Sequence, residues 1–545
     1  MARNDAFDFI VIGAGSAGAT VAGRLAEDGK HSVLLIEAGP KDDHIHIRMP
    51  AALGMPLMST RFNWYYHTEP EPNLGGRRVY EARGRALGGS SSINGLNWVR
   101  GNPWDYDNWA ALGLAGWSYT DVLPYFKRAE TFDKGASQYR GGGGPMRVET
   151  CPADHALFQI FLQAGVQAGY AMADDHNAFR QEGIHVTQRN THGGVRWNTA
   201  RAYLHEAGPR PNLTVRTGTR VTRIEFAGAR AVRVHAVSHG ATVAFEVGRE
   251  VVVSGGTINS PQILMLSGIG DADHLRSIAI PLTHHLPGVG RGLKDHMSGT
   301  VQSACKEGVS LARQLGRLGR LKVGLEWILL KQGIGTTNYF EVGAFIRTED
   351  SIKVPNMQIE FIPMLGNLHH GGVEIGDGFQ YYFNLLRPTS EGRVWIDSAD
   401  PMAAPKFVFN YLTTEQDRRH AVASIKVLRD LIAQQAWASI RTTEITPGAG
   451  VRTDGEILGA LVADIAGTNY HPCRSCRMGT DDLAVTDAAG RVRGLDNIRV
   501  VDASIMPEIV SGNLNAPTIM IAEKLSDSLL GKPPLPPEPA PYYRA

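Results

Sequence analysis

Apolar and polar positions follow two different patterns along the chain. FDFIVIG, Phe7 to Gly13, is almost wholly apolar, as a strand buried on both faces of a parallel sheet requires. Ser16 to Asp28 follows with Ala, Val and Leu at helical spacing, and SVLLIEA, Ser32 to Ala38, is a second apolar run. Together they predict a strand–helix–strand unit. Leu213 to Ile224 and Glu250 to Ser254 read as further strands, and Ser260 to Ser267 as a helix. Between Asp350 and Asn410 the pattern changes to short strand-like runs, MQIEFI, YYFNLL and GRVWI. This predicts an α/β protein in which a sheet-based α+β domain is inserted into the one that the strand–helix–strand unit begins. The last 15 residues, GKPPLPPEPAPYYRA, hold six prolines and predict an extended tail outside the core.

One segment is ambiguous by pattern. Leu311 to Lys331 places Leu311, Leu315, Leu318, Leu325 and Ile328 at helical spacing among Arg313, Arg317, Arg320, Lys322 and Lys331. The reading adopted is an amphipathic surface helix with a solvated basic face; a helix lying peripherally on a membrane is the alternative. No apolar run reaches about 18 residues, so no spanning helix is expected.

Composition narrows the class. With 545 residues, 43% hydrophobic and 20% charged, the chain has material for two or more cores. Lys plus Arg (55) balances Asp plus Glu (54), so no global field recruits nucleic acid. The four cysteines are too few for a disulfide framework, and MARNDAFDFIVIG runs straight into a strand. A cytoplasmic protein is expected.

Chemistry first appears at GAGSAG, where Gly13, Gly15 and Gly18 stand in G-x-G-x-x-G spacing between a predicted strand and a predicted helix. Gly13 suits the tight turn, Gly15 lets backbone approach a pyrophosphate, and Gly18 lets helix pack on strand. Ser16 opens the helix whose N-terminus would meet the phosphates. Glu37 lies 19 residues past Gly18, placed to accept from ribose hydroxyls and to repel a 2′-phosphate. These residues leave NAD and FAD both open.

Three further stretches carry a resemblance. GRALGGSSSINGLNWVRG (Gly84 to Gly101) resembles the first signature of the glucose-methanol-choline (GMC) oxidoreductases, and GTINSPQILMLSGIG (Gly256 to Gly270) the second. NYHPCRSCRMG, followed by VVDASIMPEIVSGNLNAPTIMIAEK, resembles the family's C-terminal end. The likeness runs from Phe7 to about Leu530, nearest to the choline dehydrogenase-like and long-chain alcohol dehydrogenase branch through NWYYHTEPEP, RPNLTVRT and NYFEVGAFIR. It implies the GMC fold: a Rossmann-type FAD-binding domain at 1–155, 195–305 and 465–530, a substrate-binding domain at 156–194 and 306–464, and a tail at 531–545. It also implies FAD contacts from Arg83, Gly88, Gly89, Asn94 and Asn97, from Val221 at the adenine, and from Asp502 and Ala503 near the pyrophosphate and ribityl. Where covalent members carry a flavin-linking histidine this chain has Ile93, so FAD is expected to be non-covalent.

The implied reaction oxidises a primary alcohol to an aldehyde, with hydride passing to flavin N5 while a protein base takes the hydroxyl proton. His471 falls on the family's catalytic histidine, and imidazole titrates near neutral pH. The second polar position falls on Asn515 in SGNLNAPT, an amide that donates but cannot act as base. Cys473 and Cys476 form a Cys-x-x-Cys pair beside His471, yet Cys151 and Cys305 have no cysteine nearby. No metal site is therefore expected; the pair reads as structural, with a redox couple as alternative. Arg474 and Ser475 depart from the family's HPxGTCxMG form.

Substrate residues depart too. Choline-handling relatives carry an acid two places past the histidine of a QDH-type motif; here KDHMSG puts Ser298 there, so choline is not the expected substrate. PNMQIEFIP puts Glu360 where relatives commonly read histidine, a carboxylate facing either the substrate or a structural arginine. Trp64, Phe361 and Tyr470 are candidates for aromatic walls or for core. The expected partners are a small-molecule alcohol and an electron acceptor (a quinone, a redox protein or O2). Asn469, two before His471, favours a dehydrogenase. Alternatives are choline dehydrogenase proper, an alcohol oxidase making H2O2, and a GMC-fold hydroxynitrile lyase.

Overall fold

The computed structural model describes residues 6–367 and 374–545; the first five residues of the N-terminal stretch read above, and the side chains of Arg317, Asn367 and Glu374, lie outside the described residues. Two seven-stranded sheets organise the chain. In the first, Leu213–Arg216, Val33–Ile36, Ala6–Ile12, the second half of Ala241–Val253, and Ile498–Val500 pair in parallel. Phe9 to Ile12 and Val33 to Ile36 are buried, which is why they read as unbroken apolar runs. The first half of Ala241–Val253 leaves the parallel layer and pairs antiparallel with Arg230–Ser238, and that strand with Thr219–Ala227. Helix Ser16–Leu25 follows the first strand and packs beside the C-terminal helix Asn515–Leu529.

The second sheet is antiparallel, in the order Arg441–Thr446, Met297–Cys305, Phe379–Leu385, Met357–Ile362, Val342–Ile346 and Gly183–Val186, with Gly467–Thr468 paired to Met297–Ser298. Its two faces separate by the period of two. Ile359, Phe361, Tyr381 and Phe383 join the apolar cluster under helices Ala156–Gln167 and Glu415–Ala433, while Gln358, Glu360, Gln380 and Asn384 face the other way, polar and buried. The expected boundary at 305 therefore needs correction: Met297–Cys305 is an inner strand of the second sheet, because its alternation serves that sheet's core.

Two other expectations change. The proline-rich tail is extended but docked: Tyr139 Oη donates to the Pro541 carbonyl at 2.8 Å, the Leu535 amide donates to Tyr125 Oη at 2.8 Å, Lys127 pairs with Glu538, and Ala540 joins the core. Leu311 to Lys331 folds as a short 3-10 turn, Leu311–Leu315, and a helix, Arg317–Leu330, but beside exposed Arg313 and Lys322 its outward face carries exposed leucines, which the expected solvated basic face did not include. Among the described residues no helix is long and apolar enough to cross a membrane.

Candidate active site

A cavity of about 680 Å³ runs between the two sheets. One end is made of backbone. Gly13, Gly15, Ser16, Glu37, Arg83, Gly89, Asn94, Val221, Asp502 and Ala503, all expected to contact a dinucleotide, line the cavity. The helices that begin at Ser16 and Asn515 both start at its wall, and neither has a capping side chain or an acid in its first turn. Their free N–H groups and positive dipole ends are left for an anion. A Cβ on Gly18 would stand 1.8 Å from the Gly13 carbonyl oxygen, and one on Gly89 2.5 Å from Gly15 Cα, whereas one on Gly15 would meet nothing nearer than 3.8 Å. Chain thus closes on chain at Gly18 and Gly89 and stays open at Gly15, the geometry a dinucleotide pyrophosphate needs.

Gly18 and Gly88 do not reach the cavity; they shape the turns behind it. Glu37 is buried in the wall, accepting from the Ala14 amide at 3.0 Å and the Gly39 amide at 2.8 Å; burial pushes its carboxyl up to about 7 despite these donors. Asp502 accepts from the Gly256 amide at 2.8 Å and Ser260 Oγ at 2.6 Å, tying the second signature to the C-terminal strand. Ile93 is buried in an apolar cluster and offers no atom for a covalent link. The residues present fit FAD.

The other end is made of side chains. His471 Nδ1 lies 3.0 Å from His296 Nδ1 and 3.3 Å from Asn469 Nδ2, and His471 Nε2 lies 3.2 Å from Asn513 Nδ2. This corrects the expected partner. Asn515 instead accepts from Ser16 Oγ at 2.7 Å, because it is the first residue of its helix and faces the neighbouring helix start. Asn513 Oδ1 accepts from Gln358 Nε2 at 3.0 Å, and its Nδ2 donates to Glu360 Oε1 at 3.4 Å. That orientation leaves Asn513 Nδ2 to donate to His471 Nε2, which presents a lone pair there, while the Nδ1 side faces His296 and Asn469. Burial, then the neighbouring His296, then Arg83 hold His471 well below the usual imidazole value. Burial holds His296 at about 3.

Glu360 completes this end. It accepts from Asn97 Nδ2 at 2.8 Å and Asn384 Nδ2 at 3.1 Å, and burial raises its carboxyl against these donors. No arginine pairs with it among the described residues. Asn97, expected on the cofactor, is thus held by Glu360 within the same wall. Phe361 is corrected: one residue on, it points to the opposite face and packs among Phe161, Tyr381 and Trp437. Tyr470 does line the cavity. Trp64 lines it too, with Arg85 and Arg220 over its ring. Ser298 lines the cavity with its hydroxyl unpartnered.

The loop carrying His471 is pinned by its neighbours. Its amide donates to Asp295 Oδ1 at 2.7 Å, and Tyr470 before it is held at φ 61°, a strained left-handed conformation. Arg83 Nη2 donates to the Tyr470 carbonyl at 2.5 Å. Arg474 reaches the Pro507 carbonyl at 2.8 Å and Glu391 at 2.7 Å, and Ser475 Oγ donates to the Thr257 carbonyl at 2.6 Å. Cys473 and Cys476 are free thiols inside the core, and burial pushes both well up. Among the described residues no group of three or more His, Cys, Asp or Glu could hold a metal. His296, Asp295 and Asn513 were missed in the sequence; KDHMSG and the paired asparagines of GNLN were the available signals.

Comparison with known proteins gives the family. The GMC oxidoreductase family profiles match residues 7–298 and 388–522. The chain is 48% identical over 552 residues to the oxygen-dependent choline dehydrogenase of Stenotrophomonas maltophilia (strain K279a), covering 100% of this chain and 98% of that protein. Its structure resembles pyridoxine 4-oxidase from Mesorbium loti, with TM-score 0.86 and 29% identity over 96% of this chain and 99% of that one. It also resembles a formate oxidase variant from Aspergillus oryzae RIB40 studied for FAD modification, with TM-score 0.90 and 25% identity over 96% and 98%. The chain belongs to the GMC oxidoreductase family and is an FAD-dependent oxidoreductase acting on alcohols.

Proposed function

We propose that the protein oxidises a primary alcohol to an aldehyde, with His471 as general base, Asn513 as the amide that holds the substrate oxygen, and Glu360 as the residue that selects the substrate's polar group. The observation that carries this reading is the convergence of three groups on one stretch of wall: His471 Nε2, Asn513 Nδ2 at 3.2 Å from it, and Glu360 Oε1 at 3.4 Å from the same amide. Bound FAD would supply the hydride acceptor. It would be held without a covalent link by Gly13, Gly15, Ser16, Glu37, Arg83, Gly89, Asn94, Val221, Asp502 and Ala503.

The chain's own part is orientation and proton handling. A hydroxyl entering between Asn513 and His471 accepts from the amide and donates to Nε2, so its proton passes to Nε2 as the C–H bond breaks. His296 keeps the other nitrogen of His471 oriented, and its low basicity makes it a poor second proton acceptor. Asp295 fixes the loop through the His471 amide. A positioned base of this kind contributes about 10²- to 10⁴-fold.

Glu360 points to the substrate class. A buried carboxyl without a cation is held towards its neutral form, so an alcohol that brings an N–H, an O–H or a positive charge beside it gains most. A second reading, choline itself, is favoured by that carboxylate together with Tyr382 and Tyr470 in the wall, and by the name of the 48% identical relative. Ser298 offers no charge to a quaternary ammonium. The test is anaerobic mixing of the holoenzyme with choline, a polyol, benzyl alcohol and a hydroxymethylpyridine, read as bleaching of the flavin band. Bleaching by any of them supports the reading, and the fastest names the class; aldehyde release from a cyanohydrin with no bleaching by any alcohol would replace it with a lyase. Peroxide formed in air would mark O2 as acceptor; its absence would leave a quinone or redox protein.

A further inference from the structure

Helix Arg317–Leu330 has two apolar stripes where a surface helix needs one. The inner stripe seats it on the body: Val323 and Trp327 are buried, and Trp327 Nε1 donates to the Gly194 carbonyl at 2.7 Å. The outer stripe is Leu318, Leu321, Leu325, Ile328 and Leu329, at i, i+3, i+7, i+10 and i+11, with relative exposures of 85%, 61%, 51%, 48% and 75%. Single exposed leucines are ordinary, but a continuous stripe of five marks a surface that something covers.

Charge indicates what covers it. Arg313 and Lys322 are exposed beside the stripe, Lys331 follows its last turn, and Glu326 is the one acid between 311 and 331. A second copy of the same face would bring these cations together across a two-fold interface, an unfavourable arrangement. An anionic lipid surface satisfies both halves of the pattern: leucines enter the headgroup–acyl boundary while Arg and Lys meet the phosphates. The helix is also a wall of the cavity, since Leu315, Arg320, Val323 and Gly324 line it from the inner side.

We propose that Arg317–Leu330 docks the enzyme on an anionic bilayer, its leucine stripe down, so that one wall of the cavity lies at the membrane surface. This holds whichever alcohol is oxidised. The test floats the FAD-loaded protein with vesicles of phosphatidylcholine alone or mixed with phosphatidylglycerol. The wild type should float several-fold more with the anionic vesicles, and added salt should weaken binding. Leu321→Ser with Leu325→Ser and Leu329→Ser should abolish flotation, and Arg313→Gln with Lys322→Gln should remove the preference for anionic lipid. Both variants should keep the flavin spectrum and its bleaching by alcohol, which shows that they fold. Failure of the wild type to float with either vesicle, or equal flotation of the wild type and the triple-serine variant, would overturn the proposal. So would a wild-type dimer that the serine changes turn into a monomer without any lipid binding.

Discussion

The two ends of the cavity are built from different material. At the cofactor end backbone meets backbone: Gly18 on the Gly13 carbonyl, Gly89 on Gly15, and two uncapped helix starts. At the catalytic end the wall is a set of side chains joined by hydrogen bonds: His296 and Asn513 meet His471, and Asn513, Asn97 and Asn384 meet Glu360. The difference has a consequence for change. A backbone site fails when any side chain is added, whereas a side-chain site fails by degrees, according to which atom is lost.

Mutation separates the ends. The largest effect should come from Gly18→Ala: with a Cβ 1.8 Å from the Gly13 carbonyl oxygen, helix and strand must part, and the purified protein should carry little or no flavin by its absorbance. At the other end, Asn513→Ala removes the donor to His471 Nε2 and to the substrate oxygen; flavin reduction should slow by about 10- to 100-fold, the size of a charge-assisted hydrogen bond and less than the loss of His471 itself. Asn515→Ala is its control. That residue serves Ser16, so the change should weaken FAD retention and leave the reduction rate of the loaded enzyme within about threefold of wild type. If Asn515→Ala slows reduction more than Asn513→Ala, the assignment reverses.

A smaller effect concerns pH. His471 is held below the ordinary imidazole value by burial and by His296. A group lowered in this way stays neutral, and so remains a base, as pH falls past the value of about 6.5 at which a free imidazole is half protonated. The reduction rate should therefore change by less than about twofold between about pH 8 and about pH 6.5; a fall centred near 6.5 would mean that His471 is not so shielded. The smallest effect is expected from Cys473→Ser with Cys476→Ser. Both thiols are core side chains kept protonated by burial, so the double variant should lose some thermal stability and retain flavin reduction.

What was legible in the sequence follows the same division. The strand–helix–strand unit and the glycine spacing were readable because a parallel strand buried on both faces must be apolar, and because a close backbone approach excludes every residue but glycine. His471 stood out through the motif around it. Asn513 and Asn515 are two places apart in one motif, and only the point at which the loop enters its helix decides which of them reaches His471. Glu360 and Phe361 differ by one residue, and the strand's alternation sends one to the cavity and the other to the core. The leucines of Arg317–Leu330 could be counted, but which stripe faces the body depends on Trp327 and its bond to Gly194. The tail's prolines gave its extended form and not its docking, which rests on Tyr125 and Tyr139 far away in the chain.

The central claim is that proton removal by His471 Nε2 drives oxidation at the side-chain end. Its most direct measurement is the anaerobic rate of flavin bleaching, by the best alcohol of the panel, in wild type and in His471→Ala with FAD content matched. The account predicts full flavin occupancy in both and a rate lower by about 10²- to 10⁴-fold in the variant; equal rates would contradict it.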